Sequence, residues 1–209
     1  MMKKIIFSLL CILFAFSNLL SQSDSTFQEL TDKEIDEIIL NIRDRYKQIN
    51  KIKSDSVDYL NEIDYHVTQI NWADTTEGFP GVGHKHSFFK FYWANGKLIK
   101  LVHSNAISVY GVYKEYIFDE NQNLIFYFEK NFVGVEEYEE RIYYNKSQLI
   151  HYQIKPLSLG DKNLEIKDYS LKDFNEKHFA RAQYILKESD WRIYWFDHSA
   201  PGLDMFYNE

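Results

Sequence analysis

One dipeptide, Leu-Ile, recurs at Leu98-Ile99, Leu124-Ile125 and Leu149-Ile150, at spacings of 26 and then 25 residues. Each copy closes the same pattern of an aromatic run, a polar turn and a returning apolar run. The outgoing runs are Phe91-Tyr92-Trp93, Tyr116-Ile117-Phe118 and Ile142-Tyr143-Tyr144. Short apolar runs that reverse around turn residues form β-hairpins. Three in succession leave few solutions besides an antiparallel meander built from a duplicated unit. The pattern constrains architecture strongly and chemistry hardly at all.

The turns differ in kind. Asn95-Gly96 tolerates two positive φ angles, as a type I′ turn demands. Asp119 to Asn123 is longer and has no glycine. Asn145-Lys146-Ser147-Gln148 also lacks glycine, and Asn145 is its residue most tolerant of the left-handed region. Val109 to Phe118 and Tyr138 to Tyr144 supply outgoing strands, and the alternation of Ile63, Tyr65 and Val67 predicts an earlier one. From Asn71 to His84 the chain is rich in Asp, Thr and Gly, which predicts a long loop.

Helices are expected at both ends. Thr31-x-x-Glu34 is a capping box. Behind it Ile35, Ile38, Ile39, Ile42, Tyr46 and Ile49 fall on helical spacing, an apolar stripe of about five turns that needs a sheet face to cover. Ser170 can cap a second helix with Leu171, Phe174, His178, Ala182, Ile185 and Leu186 on one stripe. Trp191, Ile193 and Trp195 then alternate and predict a closing strand. The expected fold is α+β, an antiparallel meander of about six to eight strands flanked by an N-terminal and a C-terminal helix. It forms a single domain over 31–209, with the hairpin repeats at about 87–154.

The first 21 residues read as an export signal. Lys3 and Lys4 precede an apolar run of twelve, Ile5 to Phe16, interrupted only by Ser8. Such a run suits a signal and is too short to span a bilayer. Residues 22–30 form a polar leader. Cys11, the single cysteine, follows Leu10 inside the apolar run and leaves with the signal. The mature chain of about 188 residues then has no thiol for a disulfide, a zinc ribbon or a nucleophile, and its stability rests on a packed core. These features predict a periplasmic or secreted protein with no membrane span after cleavage. Removing Lys3 and Lys4 takes the net charge from −7 to −9. That acidity argues against nucleic acid, whose affinity rests on neutralising phosphate, and against anionic lipid.

The segment from Glu115-Tyr116-Ile117-Phe118-Asp119 through Phe126-Tyr127-Phe128-Glu129-Lys130 to Glu140-Arg141-Ile142-Tyr143-Tyr144 resembles a group of small exported bacterial proteins. These carry an N-terminal helix of the Ile42-Arg43…Tyr46…Ile49-Asn50 type and tandem aromatic hairpins akin to MORN-like repeats. The resemblance spans about residues 35–155. It implies the fold and the export, and it transfers no functional residue.

His84-x-His86 is the sharpest local chemical pattern. If Trp93 faces Leu98 and Phe88 faces His103, then His84, His86 and His103 gather on one sheet face. Three imidazoles there suit zinc with an open fourth position, the basis of a metal-dependent hydrolase reading. Asp119-x-Asn121-x-Asn123 copies half of a calcium loop, but Leu124 and Lys130 stand where Gly and Glu belong, so it reads as a turn. Glu136, Glu137, Glu139 and Glu140 read as a solvated strand start. Asp197-His198-Ser199 cannot form a triad between sequence neighbours. Gly81-Val82-Gly83 lacks the third glycine of a phosphate loop. No catalytic residue is assigned. The favoured reading is a non-catalytic binding or interaction module of the cell envelope, with an envelope protein or a small ligand as partner and an aromatic sheet face as its contact surface.

Overall fold

The computed structural model describes residues 30–52, 57–58, 63–72, 85–107, 110–132, 137–157 and 165–199. The signal segment, nearly all of the leader and most of the 71–84 loop lie outside them. Two compact units divide within the first helix, Met1–Asp36 and Glu37–Glu209.

Helix α1 spans Asp32–Ile49. The expected capping box closes its start, with the Thr31 backbone N–H donating to Glu34 Oε2 at 2.8 Å and the Glu34 N–H donating to Thr31 Oγ1 at 3.3 Å. Nine strands follow in chain order: β1 Val57–Asp58, β2 Ile63–Trp72, β3 Lys85–Ala94, β4 Lys97–Ile107, β5 Tyr110–Phe118, β6 Leu124–Asn131, β7 Glu137–Asn145, β8 Gln148–Leu157 and β9 Lys167–Tyr169. All neighbours pair antiparallel, so the sheet is an uninterrupted meander. A 3₁₀ turn at Leu171–Asp173 leads to helix α2, Glu176–Ser199. The fold is α+β with one helix near each end of the meander, as the sequence predicts.

The recurring Leu-Ile dipeptide has a structural meaning. Trp93 pairs with Leu98 while Tyr92 pairs with Lys100, leaving Ile99 without an opposite number. Phe118–Leu124 and Ile117–Phe126 skip Ile125 in the same way, and Tyr144–Leu149 and Tyr143–His151 skip Ile150. Each dipeptide is therefore a β-bulge, in which Leu pairs and Ile is the extra residue. Plain alternation would put Leu98 and Leu101 on opposite faces, yet both lie in one core cluster, as do Leu124 with Tyr127 and Leu149 with Tyr152. One bulge in each hairpin restores the apolar face and increases the local twist.

Beyond the bulges one row crosses the sheet, Phe91–Leu101–Tyr116–Tyr127–Ile142–Tyr152–Tyr169. Helix α2 covers it through Ala182, Ile185 and Leu186, and Tyr144 Oη donates to the Ala182 carbonyl at 3.1 Å. Neighbouring positions point the other way. There Tyr92, Lys100, Ile117, Phe126 and Tyr143 form the row on which α1 lies, with Tyr46 edge-on to Phe126 at 5.3 Å between centroids. Burying about a dozen large side chains on the α2 side, at roughly 1.5–3 kcal/mol each, holds the layers together.

Three expectations are corrected. Trp191, Ile193 and Trp195 do not form a strand, because α2 continues through them to Ser199. No Gly or Pro interrupts 176–199, and the burial of Ala182, Ile185 and Ser189 keeps helical spacing. Ser170 caps only the 3₁₀ turn. The helix proper, from Glu176, is capped by Asn175, whose Oδ1 accepts from the N–H groups of Lys177 and His178 at 3.0 and 3.3 Å. In the third hairpin Asn145 stays in the ladder opposite Gln148, and Lys146 and Ser147 take the positive φ angles, 49° and 65°. The first hairpin is as expected, with Asn95 at 49° and Gly96 at 73°.

Candidate functional site

The histidine reading meets a different register. The bulge shifts β4 by one residue, so His103 pairs with Phe89, and Phe88 pairs with Ser104. The two rings of Phe89 and His103 stack at 4.5 Å. His86 pairs with Ala106, three positions from His103 along β4, and an odd separation alternates the two register positions to opposite faces. His84 and the side chain of His86 lie outside the described residues. His103 itself is half-buried near Arg192 and Lys114. Burial, aided by those two cations, pushes its pKa down to about 4, and its Nδ1 has no hydrogen-bond partner among the described residues.

The acidic stretch is also corrected. Glu140 is not solvated but 2% exposed. It sits in the ladder opposite Glu129, which pairs in turn with Lys114. Helix α2 lowers Arg181, Glu188 and Arg192 onto this row. Arg181 reaches Glu140 at 2.6 Å and Glu129 at 2.8 Å. Lys114 and Arg192 reach Glu188 at 3.0 and 2.6 Å. Three cations balance three carboxylates, and hydroxyls of Tyr127, Tyr138 and Tyr152 donate to the acids. Burial alone would raise the Glu129 pKa, but the Tyr127 hydroxyl, Lys114 and Arg181 outweigh it and lower it. A general acid needs the opposite shift. This layer therefore supports the fold. The Asp119 carboxylate accepts from the N–H groups of Asn121 and Asn123, both at 2.8 Å, a hairpin turn as read.

On the other face α1 stands over the sheet and leaves a pocket of about 430 Å³ within the second unit. Ile42, Arg43, Tyr46 and Lys47 form its helix side, and Phe126, Phe128, Arg141, Tyr143 and Gln153 its sheet side. The Arg43 guanidinium lies 5.7 Å from the Tyr143 ring centroid, with Nε donating to Tyr143 Oη at 3.4 Å. The Arg141 guanidinium lies 5.1 Å from that of Phe128 and reaches Glu139 at 3.0 Å. Lys47 pairs with Asp44 at 2.9 Å on the exposed side of the helix. Phe126 and Tyr143 are 5.0 Å apart and complete the aromatic wall.

Beside the pocket, across the ladder from Phe128, lies a second buried ion pair. Lys100 meets Glu115 at 2.9 Å and Asn50 Oδ1 at 2.6 Å, and it faces the rings of Tyr46 and Tyr92. Burial lowers the Lys100 pKa against the pull of Glu115. Burial and the same carboxylate raise Tyr46 to about 12, so its hydroxyl stays protonated at neutral pH.

A second cavity, of about 510 Å³, lies between α1 and the first two hairpin tips. It mixes Arg45 and Lys97 with Asp119 and Glu120, and both cations are held by backbone carbonyls, Phe118 O and Glu120 O. It offers no charge selectivity. Among the described residues no strand aromatic is fully exposed. Among the described residues the exposed large apolar side chains are Leu40, Ile166, Phe179, Tyr184 and Trp191, none on a strand. The described strand aromatics contribute to core, cross-strand packing and pocket wall.

Sequence reasoning missed the pocket residues. Arg43 lies off the apolar stripe of the first helix, and Arg141 inside an aromatic strand. Charges within otherwise aromatic strands (Lys100, Glu115, Glu129, Arg141) were the available signal. Among the described residues no group of three or more His, Cys, Asp or Glu is placed to hold a metal, and no helix is long and apolar enough to cross a membrane. No family model, curated protein or solved structure matches the chain.

Proposed function

We propose that the protein is an exported, non-catalytic binding module of the cell envelope, and that the pocket beneath α1 is its binding site. The carrying observation is a partly open cleft of about 430 Å³ between a helix and an aromatic sheet face, within the size range of small-ligand sites. Polar groups at its rim, Arg43, Arg141 and Gln153, can orient a ligand whose body lies against Phe126, Phe128 and Tyr143. Export is supported by Lys3, Lys4 and the apolar run behind them.

The test is a thermal-shift screen of the purified protein against a panel of small molecules, repeated with Phe128→Trp, which fills the pocket. A ligand that raises the melting temperature of the wild type, and not of the filled variant, supports the reading. Absence of any shift, with one stoichiometric protein recovered by crosslinking in the envelope, would replace it with a protein-interaction module.

A further inference from the structure

The pocket lining contains three cations, Arg43, Lys47 and Arg141, and no carboxylate. In a chain of net charge −7 that is a local reversal, although Asp44 and Glu139 pair with Lys47 and Arg141 from outside the lining. The two arginines are also held in a particular way. Each guanidinium lies near an aromatic ring, Arg43 by Tyr143 and Arg141 by Phe128. A guanidinium beside a ring still carries N–H donors at its edges, and a pair of them matches the two oxygens of a carboxylate or sulfonate. The terminal nitrogens of Arg43 make no hydrogen bond to any described residue, since Nε alone is used, toward Tyr143. Arg141 gives one terminal nitrogen to Glu139 and retains further donors.

We propose that this pocket takes a small organic anion, an oxyanion head on a planar apolar body. Arg43 and Arg141 hold the head, and the rings of Phe126, Phe128 and Tyr143 hold the body. The inference rests on the reading of the pocket as a binding site and adds the class of ligand. A volume of about 430 Å³ falls in the range of small-molecule sites, roughly 300–1,000 Å³. The charge selects the head, since a neutral ligand leaves the Arg43 donors unused and a cationic one meets the Arg43 guanidinium, while Lys47 and Arg141 already have carboxylate partners.

Three probes of one shape test this by titration calorimetry: 2-naphthoate, 2-naphthalenemethanol and 2-naphthylmethylammonium. Naphthoate is expected to bind at least about tenfold more tightly than the alcohol, with no heat from the ammonium. The affinity should fall with added salt, as charge pairing at a partly open site does. Arg43→Gln should weaken naphthoate about tenfold and leave the alcohol unchanged, as for loss of one charge-assisted bond. Arg43 is exposed, so this variant keeps its fold, which circular dichroism checks. Equal affinity for naphthoate and alcohol overturns the anion class and leaves the pocket reading standing. Binding of none of the three, or binding that survives Phe128→Trp, overturns both.

Discussion

Replacing Arg181 with Met tests the charged layer beneath α2. The wild-type guanidinium contacts Glu140 at 2.6 Å and Glu129 at 2.8 Å, and those side chains are only 3% and 5% exposed. Met preserves apolar bulk and removes the charge, leaving two carboxylates opposite each other in the ladder. Removing one partner of a buried pair costs about 3–5 kcal/mol. Lys114 at 3.8 Å and the tyrosine hydroxyls still serve the acids, which places the expected loss at the lower end, about 3 kcal/mol. That is a large share of a domain stability of about 5–15 kcal/mol. The assay is urea denaturation at pH 7.5 and pH 5. In the wild type Glu129 has a lowered pKa, so its contribution is complete above the usual carboxylate range and is lost only on acidification through and below it. Between pH 7.5 and 5 it stays constant. In the variant, Glu129 loses the pull of Arg181 against burial, so its pKa rises and protonation toward pH 5 relieves part of the penalty, narrowing the gap by about 1 kcal/mol. Adding Glu129→Gln and Glu140→Gln should recover most of the loss. A loss under about 1 kcal/mol, or a gap that does not change with pH, would refute the view that Arg181 neutralises two desolvated carboxylates.

Three further outcomes are expected. His103 is held neutral in the fold with a pKa of about 4. Its contribution is complete above the unfolded value near 6.5 and is lost as pH falls from there to about 4. The loss amounts to about 1–2 kcal/mol after allowing for the solvent its ring still meets. An assigned His103 imidazole titrating near 6.5 in the NMR spectrum of the folded protein would contradict this. At the hairpin tips, Ser147→Gly should stabilise by about 0.5–1 kcal/mol, because Ser147 sits at φ 65°. Gly96→Ala should cost a similar amount through φ 73° alone, since nothing lies within 4 Å of an added Cβ. Melting temperatures that move the opposite way would remove the type I′ assignment.

The sequence by itself determined the meander, its hairpins and the two terminal helices. Those features are local. Turn residues, alternation and the Thr31–Glu34 box act over a few positions, where propensity and hydrogen bonding suffice. It also marked the three Leu-Ile copies as equivalent, although only the ladder shows that each is a bulge. Tertiary structure decided the rest. One inserted residue moved His103 from the partner expected, Phe88, to Phe89, because a single-position slip exchanges the faces of a strand. Trp191 to Trp195 followed helical propagation from Asn175 rather than their own alternation. Glu140, acidic among acids in sequence, became buried because Arg181, 41 residues away along the chain, descends on it from α2. Arg43 and Arg141 line one pocket only because α1 is laid across strands β6, β7 and β8. Contacts of that kind depend on which faces meet, and no local pattern of residues encodes the meeting.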